Sequence, residues 1–492
     1  MTAEDPREAR RRKLEALRER GVAPFALRFD RSARAADLHE KHAGLEADAE
    51  TGEVVRVAGR LMTLRRHGRL SFVTLRDGSG EIQLMLADGV LSEDGLALLA
   101  DLDLGDWVGA EGEVVTTRRG ELSVRATELT LLTKALRPLP EKWHGLKDVE
   151  ARYRQRYLDL VANPEVAERV RQKARVLHAM REHLDGLGFV EVETPVLQPV
   201  PGGGLARPFE TKHEALDVHM YLRIALELHL KRLLVGGLER VYEIGRTFRN
   251  EGVSTKYNPE FTMLEAYQAF ASYEEMMELV EGLVKAAADA AIGTRRFTYR
   301  GTEIDLDAPW PRRTVIELVS EAAGEEVSLD TSVEELRRLA QRHGIDPHET
   351  WGPGKLILEL FEKLVEETLI TPTIVKDFPR EVSPLARPHR DDPRLTEHFD
   401  LIMGGVELAP AYSELADPDE QRARFEEQAA QKAAGEEETH PFDEEFLVAL
   451  EHGMPPAGGL GLGIDRLLVI LTDAPSIREV ILFPALRPQP PE

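Results

Sequence analysis

The sequence contains no cysteine. That absence excludes disulfides, thiolate zinc sites and cysteine nucleophiles. No run approaches the roughly 18 apolar residues that a membrane helix needs. The N-terminus is charged where a signal peptide would be apolar. The expected location is therefore the cytoplasm. Positive charge is in deficit too: 63 Lys and Arg stand against 88 Asp and Glu, a formal net charge of −25. This argues against nucleic-acid binding through bulk charge, while local basic patches on an acidic body stay open. There is no internal repeat, low-complexity tract or Gly-Lys-Ser/Thr phosphate loop. What is present is a chain of 492 residues, 42% hydrophobic and 31% charged. That composition suits a soluble globular protein with two or three domains.

The chain divides by pattern. Residues 6–20 are dense in Arg and Lys, with Leu14, Leu17 and Val22 at near-helical spacing. They read as a short basic amphipathic helix, which could touch phosphates or dock on its own domain. From Val54 the period becomes two. Five strands are expected within 54–132, with a helical insert near 90–103, and this suits a barrel of the OB type. Such barrels bind single-stranded nucleic acid with aromatics and Arg, and Phe72 with Arg65, Arg66 and Arg69 is compatible with that; a core Phe would fit the strand equally. A stiff connector, Leu136–Pro140, follows. Beyond it come helices at about 151–161 and 164–187, the second with Val170, Ala174, Leu177 and Leu184 on one face. Phe189–Leu197 reads as one strand, placed at a border by Pro195. Residues 273–292 read as a helix, and 312–370 as a mostly helical insertion. The last 110 residues return to β and end in a Gly-rich strand and a helix. Gly435–Glu438 reads as an acidic bend.

Chemistry concentrates between Arg246 and Tyr267. Two strands, Val241–Glu251 and Phe261–Tyr267, are joined by a long polar loop. Side chains alternate across a strand. Tyr242, Ile244 and Phe248 therefore share an apolar face, while Glu243, Thr247, Arg249 and Glu251 form a charged one. On the second strand Phe261, Met263, Glu265 and Tyr267 oppose Thr262, Leu264 and Ala266. A hairpin with a merely solvated face would alternate the same way. Four further stretches stand out. Pro201–Gly204 permits close backbone approach or simple flexibility. Glu227 opens an apolar helical run. Asp400 and Glu407 flank Gly404–Gly405, a spacing at which two carboxylates can share Mg²⁺ bound to phosphates. Gly458–Leu468 is a Gly-rich strand entering a helix with Arg466 in its first turn, which favours phosphate.

Phe248–Glu251 with Pro259–Thr262 resembles motif 2 of the class II aminoacyl-tRNA synthetases. Gly461–Arg466 resembles motif 3, and Gly188–Leu197 resembles motif 1, all in the family's order. The OB-like segment in front resembles subclass IIb. Pro201–Phe209, Met263–Tyr267, Tyr412–Leu415 and Thr133–Pro140 resemble the lysyl-tRNA synthetases. Nearly the whole chain is covered. Three positions depart from the common pattern: Tyr257 for His, Pro410 for Asn, and Leu226 for Pro before Glu227.

The resemblance implies an α+β chain. Residues 1–143 would hold the N-terminal helix and a five-stranded OB barrel, and 144–492 an antiparallel sheet flanked by helices, with the insertion around 312–370. It implies a homodimer through motif 1. It implies that L-lysine, ATP and tRNA(Lys) are the substrates and Mg²⁺ the cofactor, held by Asp400 and Glu407. Arg249 and Arg466 would be catalytic. Arg249, Glu251, Phe261 and Arg466 would bind ATP. Gly203, Glu227, Arg249, Glu265, Tyr267, Tyr412 and Glu414 would bind lysine. Arg65, Phe72, Gln83 and Glu121 would meet the anticodon. The same-class alternatives are aspartyl and asparaginyl enzymes. A lysine-attaching protein modifier would lack the OB segment, and an RNA-binding protein with an inactive second half would not need Arg249, Glu251, Asp400, Glu407 and Arg466 together.

Overall fold

The computed structural model describes residues 5–140, 146–433 and 439–489. The expected domain break at 143/144 and the acidic bend Gly435–Glu438 lie outside the described residues, apart from the approach to each. The chain forms two compact units, Met1–Leu146 and Lys147–Glu492.

The first unit is a closed barrel of β1 (Glu50–His67), β2 (Leu70–Arg76), β3 (Glu81–Ala87), β4 (Trp107–Thr116) and β5 (Leu122–Thr133), ordered β1-β2-β3-β5-β4. Val55, Val57, Val73, Leu75, Ile82 and Leu84 alternate into its core. The helix Pro6–Glu19 is docked on this unit and not left free. Leu17 enters the barrel core, and buried Arg10 donates to the carbonyls of Leu104, Ala135 and Arg137.

The second unit is built on an eight-stranded sheet. Its members are β6 (Val190–Glu191), β10 (Arg240–Phe248), β11 (Glu260–Ala269), β14 (Arg312–Thr314), β15 (Thr373–Lys376), β16 (His398–Met403), β17 (Val406–Ser413) and β18 (Ala457–Gly463). The order is β14-β15-β16-β17-β18-β11-β10-β6. Only the two edge pairings, β14 with β15 and β10 with β6, are parallel. A side sheet holds β7 (Leu197–Gln198), β8 (Glu210–His213) and β9 (Val218–Leu222), and a ribbon holds β12 (Arg296–Tyr299) and β13 (Thr302–Asp305). One face of the large sheet sends Tyr242, Leu264, Ala266, Leu401, Ala411, Leu460 and Leu462 into the main core. There they meet Val176, Met180 and Leu184 of the helix Pro164–Gly186, and Met276, Val280 and Leu283 of Tyr273–Ile292. The opposite face is left for the site.

Several expectations are corrected. Phe189–Leu197 is not one strand. Only Val190–Glu191 joins the large sheet, and Leu197 starts the side sheet, because Pro195 has no N–H to continue a ladder. Of the expected face of Pro164–Gly186, Leu184 is buried and Leu177 packs against the main core, but Val170 and Ala174 are exposed, and Val176 and Met180 are buried in their place. The helix near 151–161 is two pieces, Val149–Arg154 and Arg156–Ala162, broken at Gln155. The insertion carries its own core of Val319, Leu336, Leu356 and Phe361, yet its first residues, Arg312–Thr314, are the edge strand of the central sheet. The last 110 residues also include the helices Pro418–Ala433 and Glu444–Glu451.

Candidate active site

The site face is set by strand register. On β11, Phe261, Met263, Glu265 and Tyr267 point away from the main core. Their partners on β18 across the last three are Gly463, Gly461 and Gly459. Large residues therefore face glycines, and the floor of a cleft is left open. Gly461 has no heavy atom within 3.7 Å of where a Cβ would stand; the nearest are Glu265 Cγ and Pro410 Cγ at 3.8 Å. Gly459 is different. Its Cβ would meet Glu414 Oε1 at 2.0 Å and the Tyr267 ring at 2.4 Å, so only glycine fits there.

Two cavities meet on this floor. One, of about 960 Å³, is lined by Gly203, Glu227, Glu265, Tyr267, Asp400 and Tyr412, among others. The other, of about 710 Å³, is lined by Glu251, Tyr257, Phe261, Asp465 and Arg466, among others. Arg249, Met263, Glu407 and Pro410 line both. Arg249 thus stands at the junction, its guanidinium 5.3 Å from the Phe261 ring centre. Arg466, at the start of the helix Ile464–Leu471, donates to the Glu407 carbonyl at 2.7 Å and sits 5.5 Å over the Tyr257 ring. Asp465 beside it accepts from Thr262 N–H at 2.8 Å and pairs with Lys173 at 2.5 Å.

The first cavity is acidic at one end. Glu227, Glu265 and Glu414 are all buried. Glu265 accepts from Leu226 N–H and from the Tyr267 hydroxyl, each at 2.9 Å. Burial, then the charge of Glu227, pushes its carboxyl up to about 7. Glu414 does not line the cavity. It lies behind Gly459, and neither of its buried oxygens has a hydrogen-bond partner of ordinary geometry. Its nearest charge is Lys231, wholly buried, which also pairs with Glu227 at 2.5 Å. Burial opposes the Lys231 charge, but the two carboxylates outweigh it and push the ammonium up to about 12. Burial, with the surrounding carboxylates, raises the Tyr267 and Tyr412 phenols well above their usual range. Gly203 N–H donates to His440 Nε2 at 2.9 Å. The other ring nitrogen of His440 donates to the Pro441 carbonyl at 2.8 Å, and burial pushes the ring down to about 4, which keeps it neutral.

Asp400 and Glu407 lie on β16 and β17, either side of the Gly404–Gly405 turn, whose φ values of 67° and 71° require glycine. Asp400 accepts from His398 at 2.9 Å, and Ser383 holds the other ring nitrogen at 2.8 Å. Burial, then Asp400, raises the Glu407 carboxyl. Both carboxylates line the first cavity, an arrangement that suits a divalent cation. Among the described residues no group of three or more acids and histidines gathers as a cation cage.

Not every expected residue reaches the cleft. Glu243, placed on the charged face of the first strand, is instead a buried ion pair with Arg223 at 2.6 Å, capped by Thr194. Arg249 and Glu251 lie past the end of β10, in the loop, with Glu251 exposed. In the barrel, Arg65 pairs across from Phe72, and Gln83 donates to Ser123 and accepts from Arg65. Phe72 is half-buried and stands outside the barrel core. Glu121 is exposed, just before β5. Sequence reasoning missed the parts played by Lys231, His440, His398 and Lys173. Lys231 left a trace, four residues after Glu227 on one helix. His398 also left one, two residues before Asp400 on the same strand face; His440 and Lys173 come from distant segments and leave none.

Residues 148–487 match the family model for class II tRNA synthetases (D, K and N), and residues 55–132 match that for the OB-fold nucleic acid binding domain. The lysine–tRNA ligase of Moorella thermoacetica is 52% identical over 97% of this chain and 96% of its own length. That of Synechococcus sp. (strain CC9605) is 53% identical over 98% and 97%, and that of Enterococcus faecalis 49% over 97% and 96%. The chain belongs to the lysine–tRNA ligase family of class II tRNA synthetases.

Proposed function

We propose that the joined cavities activate L-lysine with ATP and pass the lysyl group to tRNA(Lys). The observation that carries this reading is the acid end of the first cavity. Two buried glutamates, Glu227 and Glu265, line a glycine floor beside Arg249, with buried Glu414 and Lys231 behind them. An ammonium taken out of water needs such acceptors. Glu265, supported by Glu414 behind Gly459, would face the lysine side chain, with Tyr267 and Tyr412 alongside. Glu227 would take the α-amino group, near the Gly203 backbone. A neutral side chain would leave these acids unpaired, which is how the site would reject it.

Arg249 would hold both the lysine carboxylate and the α-phosphate, since it lines both cavities. Phe261 would stack on adenine, with Glu251 beside the base and Arg466 on the γ-phosphate. Asp400 and Glu407 would hold Mg²⁺, which when bound offsets phosphate charge. The lysine carboxylate oxygen attacks the α-phosphorus, the bond to the pyrophosphate oxygen breaks, and lysyl-adenylate forms. A terminal ribose hydroxyl of tRNA then attacks the acyl carbon and releases AMP. No protein nucleophile is needed. The residues position the reactants and neutralise charge.

Arg65, Phe72, Gln83 and Glu121 would meet anticodon bases on the outer wall of the barrel. The edge strand β6, with exposed Val190, Val196 and Leu197 nearby, supports a homodimer contact there. No helix of the described residues is long and apolar enough to cross a membrane, and a cytoplasmic location fits the reading. ATP–pyrophosphate exchange with each of the twenty amino acids tests it. Lysine is expected to drive exchange. Exchange driven by aspartate or asparagine, and not by lysine, would overturn it.

A further inference from the structure

We propose that Lys231 is a specificity-determining positioning residue that sets the charge of the lysine pocket. It pairs with Glu227 and Glu414 and returns one of the three negative charges that the acids carry when ionised, which leaves the set two charges from neutrality. Those are the charges that the two ammonium groups of free lysine supply. This rests on the reading of the cavity as the lysine site.

The charge count is that of the acid end alone; Asp400 and Glu407, elsewhere on the same cavity wall, are the pair proposed for the cation. Glu227, Glu265 and Glu414 bring three negative charges when ionised, and Lys231 returns one. The substrate carboxylate is matched separately, by Arg249. Bound lysine therefore closes the count, and a substrate with one ammonium fewer leaves a buried charge unpaired, which is costly. Without Lys231 the set would be one charge too negative even with lysine bound. One acid would then stay protonated even with lysine bound, and an ammonium would lose a charged partner.

The geometry gives Lys231 no other task. Its side chain is wholly buried on the helix Glu227–Val235, and its ammonium reaches no solvent. Among the described residues, its neighbours besides the two carboxylates are the Phe446 ring, 6.0 Å away, and the neutral ring of His440, which it repels when charged. A methionine would fill the same space and cost less to bury. The charge, rather than the volume, is what the position supplies. It also frees Glu265. With Glu227 and Glu414 tied to Lys231, Glu265 is bonded only to a backbone N–H and a phenol and keeps its lone pairs toward the cavity.

Steady-state exchange on the full chain tests this, with Lys231→Met, Lys231→Ala and Lys231→Arg. Lys231→Met is expected to raise KM for lysine at least about tenfold, with KM for ATP within about twofold. Added ethylammonium is expected to restore lysine affinity to Lys231→Ala in part, and Lys231→Arg to lie between wild type and Lys231→Met. A folded Lys231→Met with unchanged KM for lysine overturns the proposal. So do parallel rises for lysine and ATP, or a folded Lys231→Ala that ethylammonium does not rescue. If both neutral variants fail to fold even with ethylammonium, Lys231 serves folding alone and the proposal falls. The wild type separates the two readings. If it answers to another amino acid, the site assignment has failed. If it answers to lysine while Lys231→Met matches it, only the Lys231 proposal has failed.

Discussion

Glu265 is the residue on which the acid pocket turns. It is buried, yet its carboxyl sits near 7 because burial and Glu227 both disfavour its charge. An ammonium placed against it would favour the charge and pull the value down. Lysine binding is therefore linked to proton loss. A group that must be ionised to bind, and that titrates near 7 in the free protein, gives an affinity that rises with pH through 7 and weakens below it. Calorimetry of lysine binding in two buffers of different ionisation enthalpy, at pH 6.5, is expected to show proton release. Proton uptake, or none, would contradict the assignment. Glu265→Gln removes the charge and keeps the shape. It is expected to cost roughly a hundredfold in kcat/KM for lysine, about 2.7 kcal/mol, with a much smaller change in KM for ATP. Equal losses for both substrates would show that Glu265 holds the sheet and not the ligand.

At the scale of the elements, the floor is made by β11 pairing with β18, and the pairing makes two glycines unequal. Gly461→Ala meets nothing closer than 3.8 Å, so the fold should accept it. The new methyl would nevertheless stand in the cavity. The expected result is an unchanged melting temperature with weakened lysine binding. Gly459→Ala would drive into Glu414 and Tyr267, and is expected to destabilise by about 1–3 kcal/mol as well as to impair lysine binding. Thermal melts beside exchange kinetics separate the two, and a Gly461→Ala that melts earlier than Gly459→Ala would reverse the assignment. The alternation of β11 was legible in the sequence, because Leu264 and Ala266 contrast with Glu265 and Tyr267. So were the turn at Gly404–Gly405 and the helix starting at Glu227. What was not legible depends on distant partners. Glu243 reads as a site residue until Arg223 is seen to pair with it. Val170 has the right spacing for a core face, but the neighbouring helix selects the face of Val176 and Met180. Arg249 keeps its place at the junction although the strand ends one residue before it. Lys231 shows its pairing with Glu227 by spacing, but its pairing with Glu414, from just past β17, shows only in the fold.

For the whole molecule, the residues proposed for adenylate formation and those proposed for the anticodon fall in different compact units. Every residue proposed for adenylate formation belongs to Lys147–Glu492, and every residue proposed for the anticodon to Met1–Leu146. Substitutions in the barrel wall should therefore leave the first step alone. Phe72 is the sharpest case. It is half-buried, lies outside the barrel core, and meets the edge of the His67 ring at 6.2 Å. Its removal opens no core cavity. A stacked base is worth about 1–3 kcal/mol, so Phe72→Ala is expected to lower kcat/KM for tRNA roughly 5–150-fold in aminoacylation. Lysine-dependent exchange should stay within about twofold of wild type, because exchange does not use the barrel. An aromatic replacement, Phe72→Tyr, should restore most of the charging, since a ring face is all that stacking requires. If Phe72→Ala instead lowers exchange and charging together, and its melting temperature falls with them, Phe72 supports the barrel and does not read the anticodon. If charging is unaffected, the contact lies elsewhere on the wall, and the pair of Arg65 and Gln83, 3.2 Å apart, is the next place to look.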